Sequence, residues 1–304
     1  MDYTNAIETK QLEKWYGKVH ALRGVDLDVK RGEIFGFLGP NGAGKTTTIR
    51  CILDLIRPQA GSISVLGLNP QKDPVAVRDR IGYLPGELSL ESNMRVRGVL
   101  RYFGELRGNK LEWDYVVELA DRLNLDLTLQ IKNLSKGNKQ KVGVVQALMH
   151  RPELLLLDEP TAGLDPLKQQ EVYRMLREAK ANGATIFFSS HIINEVETIA
   201  DRVAIINNGV IVEEAEPAQL ISMEMRRIRV RFRESVDMNT LSRVEGVSVL
   251  SQESDSVVTL QVDGEMDSLI KALAAFPVID IDIERPSLEE IFLAYYEAGK
   301  KESN

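Results

Sequence analysis

The chain has 304 residues, 43% hydrophobic and 27% charged, with a net charge of −7 and one cysteine, Cys51. That length calls for more than one domain, and the composition is that of an ordinary globular protein. The acidic balance argues against broad nucleic-acid binding, a lone cysteine excludes an internal disulfide and fits a reducing cytoplasm, and no run approaches the ~18 apolar residues of a membrane helix.

The opening stretch MDYTNAIETK is acidic and polar and does not read as a secretory signal. Residues 34–38, IFGFL, predict a buried strand. It runs into GPNGAGKTT, Gly39 to Thr47, and then into the apolar-periodic TIRCILDLI. The order is strand, glycine loop, helix. Gly39, Gly44, Lys45 and Thr46 satisfy G-x-x-x-x-G-K-[ST]: the glycines turn backbone N–H groups toward phosphate, Lys45 reaches the β- and γ-phosphates, and the Thr46 hydroxyl suits Mg²⁺. The dinucleotide fingerprint fits worse, because Thr47 stands where it needs glycine or alanine. Cys51, on the following helix, reads as a small core residue.

After the strand IGYLP come Gly86 and Glu87. MRVRGVLRYFGELRG and LEWDYVVELADRLNL then show apolar residues at spacings of three and four, which predicts helices. Residues 134–140, LSKGNKQ, place a serine N-cap and a glycine ahead of another helix, KQKVGVVQALMH, and so make a second anion site. LLLLDE, 154–159, is an apolar strand ending in two acids. Asp158 is placed to hold Mg²⁺ and Glu159 to polarise an attacking water. The strand ATIFFSS leads to His191. RVAIINNGVIVEEA predicts a hairpin about Asn208-Gly209, and Pro217 starts a short helix, AQLISMEM.

Residues 227–304 read as a separate small domain. RIRVRF, VSVLSQ, SVVTLQV and VIDIDIE predict strands, and DMNTLSRVEG and EMDSLIKALAAF predict helices. The order βαββαβ is a ferredoxin-like α+β arrangement. PSLEEIFLAYYEAG follows, with Ser287 and Glu290 as a capping box.

The glycine loop, LSKGNKQ, LLLLDEP, AGLD and SSH occur in this order along residues 39–191. Together they resemble the nucleotide-binding subunit of an ABC transporter, over about residues 5–225. The resemblance implies an α/β P-loop NTPase fold of ABC ATPase type with a helical subdomain at about 88–150. Residues 1–225 would form the ATPase domain and 226–304 an accessory domain. It also implies two ATPase units meeting head to tail, as a homodimer or a heterodimer, each signature loop closing on its partner's ATP. Ser135 and Gly137 would then serve the partner's γ-phosphate. The loop residues Gly39, Asn41, Gly42, Gly44, Lys45, Thr46 and Thr47 would hold ATP, Tyr16 in KWYGK would stack on adenine, and Asp165 would signal between the sites. Lys45, Glu159 and His191 would carry the chemistry. Two departures stand out. Lys136 and Asn138 interrupt the usual LSGGQ, and Gly86 stands where the family usually has a glutamine that senses Mg²⁺. Glu87 is the expected substitute, making Thr46, Asp158 and Glu87 the metal set.

The implied activity is ATP hydrolysis that powers a separate membrane permease, at the cytoplasmic face of the membrane. ERPSLEEIFLAYY resembles the end of ATPase subunits from drug and antibiotic exporters. The arginine-rich stretch 87–107 is the expected docking patch. The alternative is an ABC ATPase acting on ribosomes or nucleic acid. No internal repeat, sustained heptads or basic balance supports it, so no nucleic-acid partner is expected. A GTPase would show N-K-x-D, whereas the two Asn-Lys pairs read NKLE and NKQK.

Overall fold

The computed structural model describes residues 4–108, 111–217, 225–234, 241, 244, 246–263 and 266–284. The chain divides into two compact units, Met1–Glu216 and Pro217–Asn304.

The first unit holds two sheets. Strands β1 (Asn5–Tyr16) and β2 (Val19–Lys30) form an antiparallel hairpin, and β4 (Ala60–Val65) pairs with β1 on its other side. The larger sheet contains β3 (Ile34–Leu38), β5 (Ile81–Leu84), β6 (Leu154–Asp158), β7 (Thr185–Ser190), β8 (Arg202–Asn207) and β9 (Val210–Ala215), in the order β5-β6-β7-β3-β8-β9. Its first five strands run parallel, and β9 returns antiparallel through the Asn208-Gly209 turn. Every residue of IFGFL, LLLLD and TIFFSS is buried, as a parallel sheet covered on both faces requires. The consequence for function is geometric. The carboxyl ends of β3, β5, β6 and β7 open together along one rim, where ligands of such sheets bind.

Helices α1 (Lys45–Ile52), α2 (Pro74–Asp79), α6 (Pro166–Ala181) and α7 (Ile193–Ile199) accompany the sheet. A Cβ at Gly36 would stand 2.8 Å from Val196 Cγ1, so glycine in β3 is what lets α7 lie close. Between β5 and β6 the chain builds a helical subdomain from α3 (Val96–Glu105), α4 (Trp113–Arg122) and α5 (Lys136–Leu148). Val96, Val99 and Leu100 of α3 are buried, along with Val116 and Leu119 of α4.

The arginines of the expected docking stretch are used within the protein. Arg95 donates to the Thr128 carbonyl at 2.6 Å. Arg97 and Arg101 lie over the Trp113 ring, 5.9 and 4.9 Å from its centroid. Arg107 donates to the carbonyls of Asp79 (3.1 Å) and Ile81 (2.9 Å). Arg95, Arg97 and Arg101 nonetheless stay exposed, beside the exposed apolar side chains Leu55, Val75, Tyr102 and Leu106.

In the second unit β10 (Met225–Phe232), β11 (Val247–Ser254), β12 (Val257–Asp263) and β13 (Val278–Glu284) pair antiparallel in the order β11-β12-β10-β13. Helix α8 (Asp267–Leu273) buries Leu269 and Leu273 in a core with Ile228, Val230, Phe232, Val258 and Leu260. This order, with the first and third strands central, is that of a ferredoxin-like sheet. Of the expected helix DMNTLSRVEG, only Leu241, Val244 and Gly246 are described, and Leu241 is fully buried. The expected helix AQLISMEM lies outside the described residues but for Met225, which opens β10. The capping box at Ser287 and Glu290, and the exporter-like end apart from Glu284, lie outside them altogether.

Candidate active site

The glycine loop leaves β3 at Leu38 and enters α1 at Lys45. Glycine is required at both ends. A Cβ at Gly39 would collide with the Ile206 carbonyl of β8, and Gly44 has φ +117°. Gly44 also abuts the hairpin: a Cβ there would meet Leu22 Cδ2 at 2.8 Å and the Ala21 carbonyl at 3.0 Å. The β1–β2 hairpin is thereby seated on the loop. Tyr16, at the end of β1, is exposed, with Lys14 Nζ 5.5 Å from its ring centroid. Asn41 and Gly42 are exposed on the loop, and Thr47 is half-buried at the start of α1.

Lys45 is buried and folds back over the loop, donating to the carbonyls of Gly39 (2.6 Å) and Pro40 (3.1 Å). Burial pushes its amine below the usual lysine range, against the pull of Glu159 and Asp158. Thr46 Oγ1 donates to Asp158 Oδ2 at 2.7 Å, and the Ser189 hydroxyl donates to Asp158 Oδ1. Parallel register makes this arrangement, since Asp158 of β6 lies opposite Ser189 of β7. The chain then turns sharply at Glu159, where φ is +50°, an uncommon value for a residue with a side chain. His191 Nδ1 donates to Glu159 Oε1 at 2.9 Å. Thr46–Asp158 and Glu159–His191 are thus two bonded pairs joined through the Asp158–Glu159 peptide, with Lys45 within electrostatic reach of both acids.

The signature residues Ser135 and Gly137 are not bonded to this cluster directly. Ser135 N-caps α5, its hydroxyl accepting from the Asn138 N–H at 3.2 Å. A Cβ at Gly137 would stand 2.6 Å from the Gly163 carbonyl, so α5 begins against the AGLD loop. Asp165 N-caps α6 and accepts from the Lys168 N–H at 3.0 Å. No hydrogen bond or ion pair among the described residues joins Ser135, Gly137 or Asp165 to Lys45, Asp158 or Glu159. One chain therefore carries a phosphate loop and a second, separate helix N-terminus fit for an anion.

Gly86 closes on the cluster from the end of β5: a Cβ there would stand 2.9 Å from Asp158 Oδ2. Glu87 does not join it. It is exposed and lines a cavity of about 730 Å³ together with Leu55, Val75, Tyr83, Leu88, Phe103 and Leu106. The oxygen pair of Thr46 and Asp158 suits a hard cation that completes its shell with phosphate oxygens and water, as Mg²⁺ does. Among the described residues there is no cluster of three or more acids, His or Cys that would bind a metal unaided.

Sequence reasoning missed two supports. Gln140 of α5 is buried and donates to the carbonyls of Glu159 (2.9 Å) and Pro160 (3.1 Å), tying the signature helix to the catalytic turn. It closes the motif LSKGNKQ, which was the available signal. Ser189 sits in SSH one residue before Ser190, and only strand register reveals its partner.

Residues 22–162 match the protein family described as ABC transporter. The bacitracin transport ATP-binding protein BcrA of Bacillus licheniformis is 41% identical over 211 residues, covering 68% of this chain and 69% of that protein. The daunorubicin resistance ATP-binding protein DrrA3 of Streptomyces coeruleorubidus is 33% identical over 299 residues, covering 95% of each. A solved structure described as an ATP-binding subunit of an ABC transporter is 32% identical with a TM-score of 0.66, covering 71% of this chain and 91% of that one.

Proposed function

The chain belongs to the ABC transporter ATP-binding family and hydrolyses ATP, and from that premise we propose how its residues divide the work and what they drive. Lys45 and the loop N–H groups neutralise the β- and γ-phosphates. Tyr16 stacks on the base. Thr46 and Asp158 hold Mg²⁺, which when bound screens the charge of the phosphates. Glu159 orients and polarises the attacking water, and His191 fixes Glu159 while reaching the γ-phosphate. The observation that carries this reading is the 2.9 Å bond between Glu159 and His191, set beside the Thr46–Asp158 pair.

Ser135 and Gly137 complete the site of a second ATPase unit, identical or homologous, and Asp165 reports across the interface. Two separate anion sites on one chain support this head-to-tail pairing. Residues 1–216 are the engine and residues 217–304 an accessory domain, a boundary nine residues before the one expected from the sequence. Among the described residues no helix is long and apolar enough to cross a membrane. The permease this reading calls for is a separate polypeptide. The ATPase sits on the cytoplasmic face of the membrane. The cavity beside Glu87, with the exposed Leu55, Val75, Tyr102 and Leu106, is the docking surface for that permease. The cargo we propose is drugs, antibiotics or lipid-like compounds moved outward; relatives named for bacitracin transport and daunorubicin resistance support the first two classes.

The test is to tag the Glu159→Gln chain, solubilise membranes in mild detergent with ATP present, and identify what copurifies. A polytopic membrane protein is the expected partner. Recovery of ribosomes or DNA alone would overturn the transporter reading.

A further inference from the structure

One buried acid takes no part in the site described above. Glu195 stands in the first turn of α7 and is 5% exposed. Its Oε2 accepts from Ser190 Oγ at 2.6 Å, and its Oε1 accepts from the Thr161 hydroxyl. Ser190 and Thr161 are themselves buried. The Tyr173 hydroxyl of α6 closes the group: burial first, then the Glu195 carboxylate, pushes that phenol well above its usual range. Among the described residues no cation pairs with Glu195. A carboxylate buried among hydroxyls alone is a costly way to fill space, since an apolar side chain would do it without desolvation.

The placement of the two hydroxyls explains the cost. Ser190 immediately precedes His191, and its Oγ accepts from the Ile192 N–H at 2.9 Å, so it shapes the turn that presents the imidazole. Thr161 lies two residues after Glu159, and its carbonyl accepts from the Leu164 N–H at 3.1 Å, so it shapes the turn that leads to Asp165. The two turns come from different strands, β7 and β6. Their side chains must meet to within 2.9 Å for His191 to hold Glu159.

We propose that Glu195 is a positioning residue: it ties the His191 turn to the Glu159–Asp165 turn and thereby sets the register of the catalytic pair. The proposal rests on the roles given above to Glu159 and His191. Glu195 is buried, and both its oxygens are taken up by hydroxyls. Its whole effect passes through the two hydroxyls.

The experiment measures ATP turnover by the full chain, with kcat and KM resolved and folding followed by thermal melting. Glu195→Ala is expected to lower kcat about 30-fold or more while KM for ATP moves less than about threefold, because displacing a catalytic group by ~1 Å costs on the order of 100-fold. Glu195→Gln is expected to keep kcat within about fivefold, since an amide accepts from one hydroxyl and donates to the other. Thr161→Val, an isosteric change that cuts one link, is expected to cost about tenfold in kcat and serves if Glu195→Ala does not fold. Placed in a His191→Ala background, Glu195→Ala is expected to cost no more than about threefold further, because residues acting as a unit are not additive. A fully additive loss in that background, or wild-type kcat in Glu195→Ala beside an impaired His191→Ala, would overturn this proposal alone. Wild-type kcat in His191→Ala would overturn the parent reading of the histidine, and the proposal with it.

Discussion

Alanine at position 86 probes the metal site without replacing any group assigned to it. The new Cβ would stand 2.9 Å from Asp158 Oδ2 and 3.3 Å from Cγ. An unstrained carbon–oxygen contact needs about half an ångström more. The carboxylate has little room to retreat. Asp158 is 2% exposed, with Oδ1 held by the Ser189 hydroxyl and Oδ2 held by Thr46 Oγ1 at 2.7 Å. Relief therefore stretches the Thr46–Asp158 bond, and a hydrogen bond to a charged group is worth roughly 1.5–3 kcal/mol. Losing about half of it, ~1–1.5 kcal/mol, lowers Tm by roughly 2–6 °C for a domain of this size. The same displacement weakens the metal-dependent part of nucleotide binding by about 5–10-fold and leaves metal-free binding unchanged. Calorimetric titration of ADP with and without Mg²⁺ reads the two parts separately. If Mg²⁺ strengthened ADP binding equally in Gly86→Ala and wild type, the argument that Gly86 fixes Asp158 would be refuted.

Glu159→Gln removes the carboxylate that faces His191 but keeps its shape. Turnover should fall at least ~100-fold, and gel filtration with ATP should show a dimer absent without nucleotide. Glu87→Ala should leave turnover of the isolated chain within about twofold, because Glu87 lines the outer cavity, yet reduce recovery of the permease; a tenfold loss of turnover would return Glu87 to the metal set. His150 supplies a pH signature. Burial, reinforced by nearby Arg107, depresses its imidazole from 6.5 to about 4. The unfolded chain binds that proton below about pH 6.5 and the folded chain does not, so stability is intact above pH 6.5 and falls as pH drops toward 4, by about 3 kcal/mol. His150→Gln should flatten this part of the acid limb in urea melts at stepped pH, and an unchanged limb would show that His150 does not cause it.

The residues legible in the sequence are those whose chemistry is local. A phosphate loop needs glycines, a lysine and a hydroxyl at fixed spacing, so GPNGAGKTT announces itself before any tertiary contact exists. The Asp-Glu pair after LLLL is equally plain, because a buried strand does not end in two acids without a reason. Asn208-Gly209 marks its hairpin through backbone conformation alone, with φ of +48° and +79°. The supports of the site were hidden because register creates them. Ser189 meets Asp158 only once β7 lies beside β6, and Gln140 meets Glu159 and Pro160 across 19 and 20 residues of sequence. The contacts of the arginines of residues 95–107 were hidden for a related reason. Their partners, a ring at 113 and carbonyls at 79, 81 and 128, lie 12 to 33 residues away in the chain, whereas an isolated helix shows only a row of charges.

Those contacts bear on the docking surface. Arg95, Arg97 and Arg101 are exposed but held in place by their carbonyl and ring partners, so they present fixed rather than free charges. The exposed Leu55, Val75, Tyr102 and Leu106 favour an apolar contact, one that is insensitive to salt and weakens on cooling. The geometry also gives such a contact a route to the chemistry. Pro85, Glu87 and Leu88 line the cavity, while Gly86, between them, abuts the Asp158 carboxylate. A side chain pressed into the cavity therefore acts on a loop one residue from a metal-holding group. Glycine at position 86 is what lets this loop come so close, since any Cβ there would stand 2.9 Å from Asp158 Oδ2.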